Sequence, residues 1–211
     1  MHRFGRSLLA LGTVLGLAAC SSGGSQKAST TAPGAGSGSA CASATTVAGS
    51  DKGPETNPPG DIPDDQAFVA YSPPDASYTV KVPEGWARAE SAGRVTFTDK
   101  LNAIDVVVAD TAAAPTVDSA KRDEVPKLAA TAPCFRLGDV KTVKRKAGTA
   151  VLITYTADSS PDAVTGKVVN DDIERYLFWM NGKEAVLTLS GPAGSDNVDP
   201  WRIVTDSFAW P

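Results

Sequence analysis

The sequence predicts an α+β domain, a mostly antiparallel β-sheet packed with helices and preceded by a disordered tether, on three observations. Several runs between residues 78 and 189 alternate apolar and polar side chains with a period of two, the mark of strands with one buried face. Asn181-Gly182 separates two such runs, and both residues accept the positive φ angles of a two-residue hairpin. Helical spacing occurs only between two groups of strands and again near the end, which suits neighbouring strands in one sheet.

In chain order, Tyr78, Val80 and Val82 alternate with Thr79 and Lys81 and form a strand. Pro83-Glu84-Gly85 follows as a tight turn, because Pro presets the first torsion and Gly tolerates the last. Val95 and Phe97 mark a second strand and Ile104 to Val108 a third, with a break near Asp99 to Asn102. Thr116 caps a helix whose Val117, Ala120, Val125, Leu128 and Ala129 share a face. Pro126 lacks a donor, so a kink is expected there. The segments Phe135 to Lys144, Ala150 to Thr156, Ile173 to Met180 and Glu184 to Leu189 are rich in β-branched or aromatic residues and read as strands. Ser195 or Asp196 then caps a short helix through Trp201 to about Ser207, before Phe208 and Trp210. All four tryptophans lie beyond residue 65, and Trp179, Trp201 and Trp210 are assigned to the core.

The folded part is therefore expected over residues 66–211, a length that buries roughly 68–70% of its unfolded surface without metals or many disulfides. Residues 20–65 are rich in Ser, Gly, Ala, Thr and Pro with no hydrophobic period, and read as a tether reaching roughly 35–40 Å. Residues 1–19 have the parts of a signal peptide: Arg3 and Arg6, then an apolar run from Leu8 to Ala19 that is too short for the ~20 residues of a membrane span. Its end, Leu17-Ala18-Ala19-Cys20, resembles the lipobox of bacterial lipoproteins. That resemblance implies a diacylglycerol on the Cys20 sulfur and cleavage just before it, leaving the protein lipid-anchored on the extracytoplasmic face of the cell membrane. Several acyl chains on one residue hold stably, at about 0.8 kcal/mol per buried CH₂. Cys41 and Cys134 remain as an even pair in an oxidising space and are expected to form a disulfide, which would cut the free reach to roughly 25 Å.

The net charge of -4 argues against nucleic acid as a partner, since phosphate binding needs a basic excess. Lys141, Lys144, Arg145 and Lys146 form the one basic cluster and read as a solvated strand end and turn. His2 is the sole histidine and falls in the leader. Without an imidazole, Ser-His-Asp and Cys-His nucleophilic sites and His-containing zinc sites drop out, so no catalytic residue, cofactor or metal is assigned. Asn170, Asp171, Asp172 and Glu174 gather oxygens, but on a strand Asp172 and Glu174 share one face and Asp171 takes the other; they read as surface charge. Asp196, Asn197 and Asp199 read as helix caps and partners of the helix dipole. The polar connection Asp158 to Lys167 is long for a compact domain, and long loops are often functional. Ser159, Ser160, Thr165, Gly166 and Lys167 are its candidate partner-binding residues, extended by Arg175 on the next strand. Thr165-Gly166-Lys167 is no phosphate loop, because it lacks the earlier glycine and a following helix.

Tyr78 to Trp86 followed by Val95-Thr96-Phe97, and the ending Leu189-Ser190-Gly191-Pro192 with Trp201 and Ser207-Phe208, resemble the domain shared by the PsbP photosystem subunit and the Ran-binding Mog protein. With the lipobox and tether the chain is also similar to the LpqN and LpqT lipoproteins of actinobacteria. The resemblance implies an α/β/α sandwich and binding without catalysis. The resulting expectation is a membrane-anchored lipoprotein with a monomeric domain that binds a protein or cell-envelope component. The alternatives are a carrier of a small apolar or lipid ligand and a carboxylate-based envelope enzyme. A carrier needs an enclosed apolar pocket, an enzyme a cleft with two facing carboxylates, and a binding module neither.

Overall fold

The computed structural model describes residue 41, residues 60–162 and residues 165–211. Cys20, the leader and most of the tether lie outside the described residues. Among those described, nine strands and one helical segment on each side build the domain. A two-stranded hairpin joins β1 (Phe68–Tyr71) to β2 (Val80–Pro83). The main sheet contains β3 (Ala87–Ser91), β4 (Arg94–Asp99), β5 (Asn102–Asp110), β6 (Arg136–Arg145), β7 (Gly148–Asp158), β8 (Asn170–Met180) and β9 (Lys183–Pro192). Its order is β3-β4-β5-β9-β8-β7-β6, with every neighbouring pair antiparallel. The Asn181-Gly182 turn joins β8 to β9 with both φ angles positive, as the dipeptide predicts.

Period-two alternation gives the sheet two buried faces. On one, Val95, Phe97, Ile104, Leu152, Tyr176, Phe178, Leu187 and Leu189 pack under the β1–β2 hairpin, Phe208 and α3 (Val198–Ser207). On the other, Val140, Val151, Ile153, Leu177 and Val186 meet the segment before β6 through Ala120, Val125 and Leu128. Ile104, Ile153, Leu187 and Leu189 are fully buried. Each such side chain contributes about 1.5–3 kcal/mol. Helices thus cover both faces of an antiparallel sheet, the predicted class. No helix among the described residues is long and apolar enough to cross a membrane.

Thr116 caps as expected: its Oγ1 accepts the Ser119 N–H at 3.0 Å, and Ser119 Oγ accepts the Thr116 N–H at 2.8 Å. In place of a simple kink at Pro126, α1 (Val117–Ser119) widens into a π turn over Ala120–Glu124 and continues as α2 (Val125–Thr131). The wide turn moves the preceding carbonyls away from the proline ring, which could neither donate to them nor clear them in a regular helix.

Some features lie outside the expected elements. Among the described residues, Gly60 and Ile62 precede the expected start at residue 66 and are buried, Ile62 entering the core at 5% exposure. The short β1 and the wholly exposed edge strand β3 carry no alternation that would announce them. The N-cap of α3 is Asn197, in place of Ser195 or Asp196, and its side chain makes no cap hydrogen bond. That amide is used elsewhere: Oδ1 accepts the Ile62 N–H at 2.8 Å, while Nδ2 donates to the Gly60 carbonyl at 3.0 Å and to Asn102 Oδ1 at 3.1 Å. Asn102 Nδ2 also donates to the Gly60 carbonyl, at 2.9 Å. A methyl group on Gly191 would overlap both amides, which is why this strand position tolerates no side chain. Cys41 and Cys134 are bonded, 93 residues apart in sequence.

Candidate binding groove

The antiparallel order sets the turn between β6 and β7 at one end of the sheet, beside β2 and the last turns of α3. These elements enclose an open groove of about 530 Å³. Lys81, Lys146 and Arg202 stand on its rim, and Ala70, Ala147 and Ile203 supply apolar walls. Ile203 is 43% exposed, an uncovered apolar side chain in a groove. Among the described residues no ion pair engages Lys81, Lys146 or Arg202. Asp206, the one carboxylate in the lining, is turned partly to Arg145 at 3.8 Å.

Arg145 adjoins the groove, next to Lys146 and within reach of Asp206. Its guanidinium lies over the Tyr176 ring, 5.0 Å from the centroid, donates to the Tyr176 hydroxyl at 2.8 Å and donates to Thr205 Oγ1 at 3.0 Å. The Tyr176 O–H donates in turn to Glu174 Oε2 at 2.6 Å. Burial, then the bond to Glu174, pushes the Tyr176 phenol well above its ordinary range, so it stays a neutral donor. The sheet, the β6–β7 turn and α3 are thereby tied together at a point adjoining the groove. The basic cluster read as a solvated turn divides accordingly. Lys141 pairs with Asp139 at 3.2 Å, Lys144 is exposed, Arg145 is structural and Lys146 lines the groove. Spacing alone carried no signal for this division, because the partners of Arg145 lie 31 and 60 residues away.

The loop predicted to bind a partner lies at the opposite end of the sheet. Asp162 Oδ1 accepts from the Thr165 N–H at 2.7 Å and from its hydroxyl at 2.8 Å, and the Asp162 carbonyl accepts the Gly166 N–H. Ser159 Oγ accepts the Val169 N–H at 3.1 Å and donates to the Ser160 carbonyl at 3.0 Å. These side chains close the loop on itself. Lys167 is exposed. Arg175 is not joined to them: it sits opposite Ile153, five residues into β8 and so roughly 17 Å along the strand. It donates to Thr188 Oγ1 at 2.9 Å and reaches Glu124 Oε2 at 3.4 Å.

The acidic residues of β8 alternate between faces as the strand pattern requires, but they are not the surface charge expected: Asp171 is buried and Asn170, Asp172 and Glu174 are half-buried, because both faces of this central strand are covered. Asp172 Oδ2 accepts the Gly194 N–H at 3.0 Å, and Glu174 on the same face holds the Tyr176 hydroxyl. Asp171 points to the other face at 7% exposure, and its Oδ1 has no hydrogen-bond partner. Burial, reinforced by Asp172 and Asp158, raises its carboxyl to about 7. Asp199 lies in the first turn of α3, where its charge suits the helix dipole. Cys41, Cys134 and Asp158 bring potential ligand atoms within 4.8 Å of one another, but the two sulfurs are joined and present no thiolate.

No protein-family model matches the sequence, and neither does any curated protein sequence. Among solved structures, the chain is similar to the solution structure of cyanobacterial PsbP (CyanoP) from Synechocystis, at 16% identity and a TM-score of 0.49, covering 78% of this chain and 99% of that one. It is similar to the Ran-binding protein Mog1p of Saccharomyces cerevisiae at 11% identity and a TM-score of 0.48, covering 69% of this chain and 96% of that one. It is also similar to LpqN of Mycobacterium tuberculosis, described as involved in cell envelope biogenesis, at 14% identity and a TM-score of 0.43, covering 70% and 93%.

Proposed function

We propose that this chain is an extracytoplasmic lipoprotein, held at the cell membrane by lipid on Cys20, whose domain binds a protein or cell-envelope component and performs no catalysis. The observation that carries the reading is the groove between β2, the β6–β7 turn and α3, where unpaired cations and an uncovered Ile203 stand on a scaffold fixed by Arg145. A binding site of this kind presents a few placed charges around an apolar wall. Two further points support the non-catalytic part. Asp172 and Glu174, the neighbouring carboxylates of β8, are each engaged by a donor of the fold itself, and the only histidine precedes the cysteine. The open shape of the groove favours a macromolecular contact over an enclosed ligand.

A photo-crosslinking residue at position 203 tests this in cells, with position 121 on the π turn as the comparison. A discrete adduct from 203 and none from 121 is the expected result. Equal adducts from both, or none from 203, would overturn the reading.

A further inference from the structure

Strand direction sorts the described residues between two ends of the sheet. At one end lie the start of β6, the end of β7 and the start of β8. Cys134 precedes β6 there, and the Pro133 carbonyl accepts the Asp158 N–H at 2.8 Å. Gly60 is held at the same end by Asn102 and Asn197. The groove lies toward the other end, beside the β6–β7 turn past Arg145 and the second half of α3, whose Arg202 is five residues or roughly 8 Å along the helix from Asn197. Both covalent routes from residue 20 into the domain, through the Cys41–Cys134 bond and through Gly60, therefore enter at the end away from the groove.

The groove's charge also runs against its surroundings. Residues 60–211 carry 22 acidic and 16 basic side chains, yet the rim presents three cations without ion pairs and one carboxylate already facing Arg145. Cations that meet anionic lipid usually come in clusters of about 4–8 on an open face. Three around a cleft of about 530 Å³ suit a compact acidic occupant instead.

Resting on the binding reading above, we infer that this groove docks a short acidic peptide segment of a partner protein, with Lys81, Lys146 and Arg202 meeting its carboxylates and Ile203 an apolar side chain between them. The pairs are solvent-exposed, so each is worth little alone and is screened by salt. The contact gains selectivity from several charges acting around one apolar anchor.

The test uses the lipidated mature protein in non-ionic detergent and a fluorescein-labelled pentapeptide of two aspartates, a leucine and two glutamates. Saturable binding that weakens as salt rises is expected. Replacing the four carboxylates by amides, or introducing Lys146→Glu with Arg202→Glu, should weaken it roughly tenfold or more. Both substituted side chains lie on the rim without ion pairs, and an unchanged melting temperature verifies that the variant is folded. Equal binding of the amide peptide, unchanged binding by the folded variant, or insensitivity of the wild type to salt would overturn the inference. Displacement by inorganic phosphate at equal concentration would mark a general anion site, and charge-dependent capture by phosphatidylglycerol vesicles without peptide binding would mark a membrane contact; either result overturns it too. If the peptide fails while crosslinking from position 203 persists, the partner chemistry is wrong and the binding function stands. Loss of that crosslink removes both.

Discussion

Phe208→Ala is expected to destabilise the domain by about 3–5 kcal/mol, the cost of an unfilled aromatic cavity in a core. Phe208 is 1% exposed, three residues from the end of the chain. Its ring centroid lies 5.0 Å from Phe178 of β8, 5.6 Å from Tyr78 before β2 and 5.2 Å from Trp210. It therefore joins three pieces that the backbone joins only weakly: the sheet, the β1–β2 hairpin and the end of α3. The Thr79–Ala209 bridge, with N–H···O bonds of 2.8 and 2.9 Å, depends on the same seat. Urea unfolding measures the effect. Because Phe208 also lines the groove, binding there should weaken in parallel. A loss below about 1 kcal/mol would mean that the C-terminal segment is not seated as described.

The second large effect has the opposite sign. Asp171 is buried without a partner for Oδ1, and its carboxyl is raised from the ordinary 3.8 to about 7. The folded state consequently holds a proton that the unfolded chain gives up above pH 4. Where the native state binds more protons, stability falls as pH rises. The loss begins near pH 4 and is complete a little above pH 7. Its ceiling is about 4 kcal/mol, at 1.36 kcal/mol per unit. Asp171→Asn keeps the shape and removes the charge. It should raise stability by roughly 2–4 kcal/mol at pH 8 and by little at pH 4. Melting curves across that interval read the difference directly. A variant no more stable than wild type at pH 8 would show that the carboxylate is solvated.

The parts legible in the sequence were those written in local terms. Alternation at Tyr78–Val82 and at Val95–Phe97, the Asn181-Gly182 dipeptide and the Thr116 cap each state a backbone preference within a few residues, and each is met. What stayed hidden depends on partners far away in sequence. Ile62 enters the core because Asn197, 135 residues on, accepts its N–H. Edge strand β3, exposed at every position, needs no apolar period to pair with β4. The groove is hidden for the same reason. Lys81, Lys146 and Arg202 stand in three separate segments, and each alone looks like an ordinary surface cation. The length of the loop at Ser159–Lys167 is written in the sequence, whereas its internal hydrogen bonds depend on the fold.

Placement at the membrane underlies the whole account and rests on one sulfur, so the mass of the mature polypeptide recovered from the membrane fraction is its most direct test. The account predicts a chain beginning at Cys20, carrying diacylglycerol on that residue, and a Cys20→Ala form that leaves the detergent phase. A polypeptide that begins at Met1 and carries no fatty acid would contradict it.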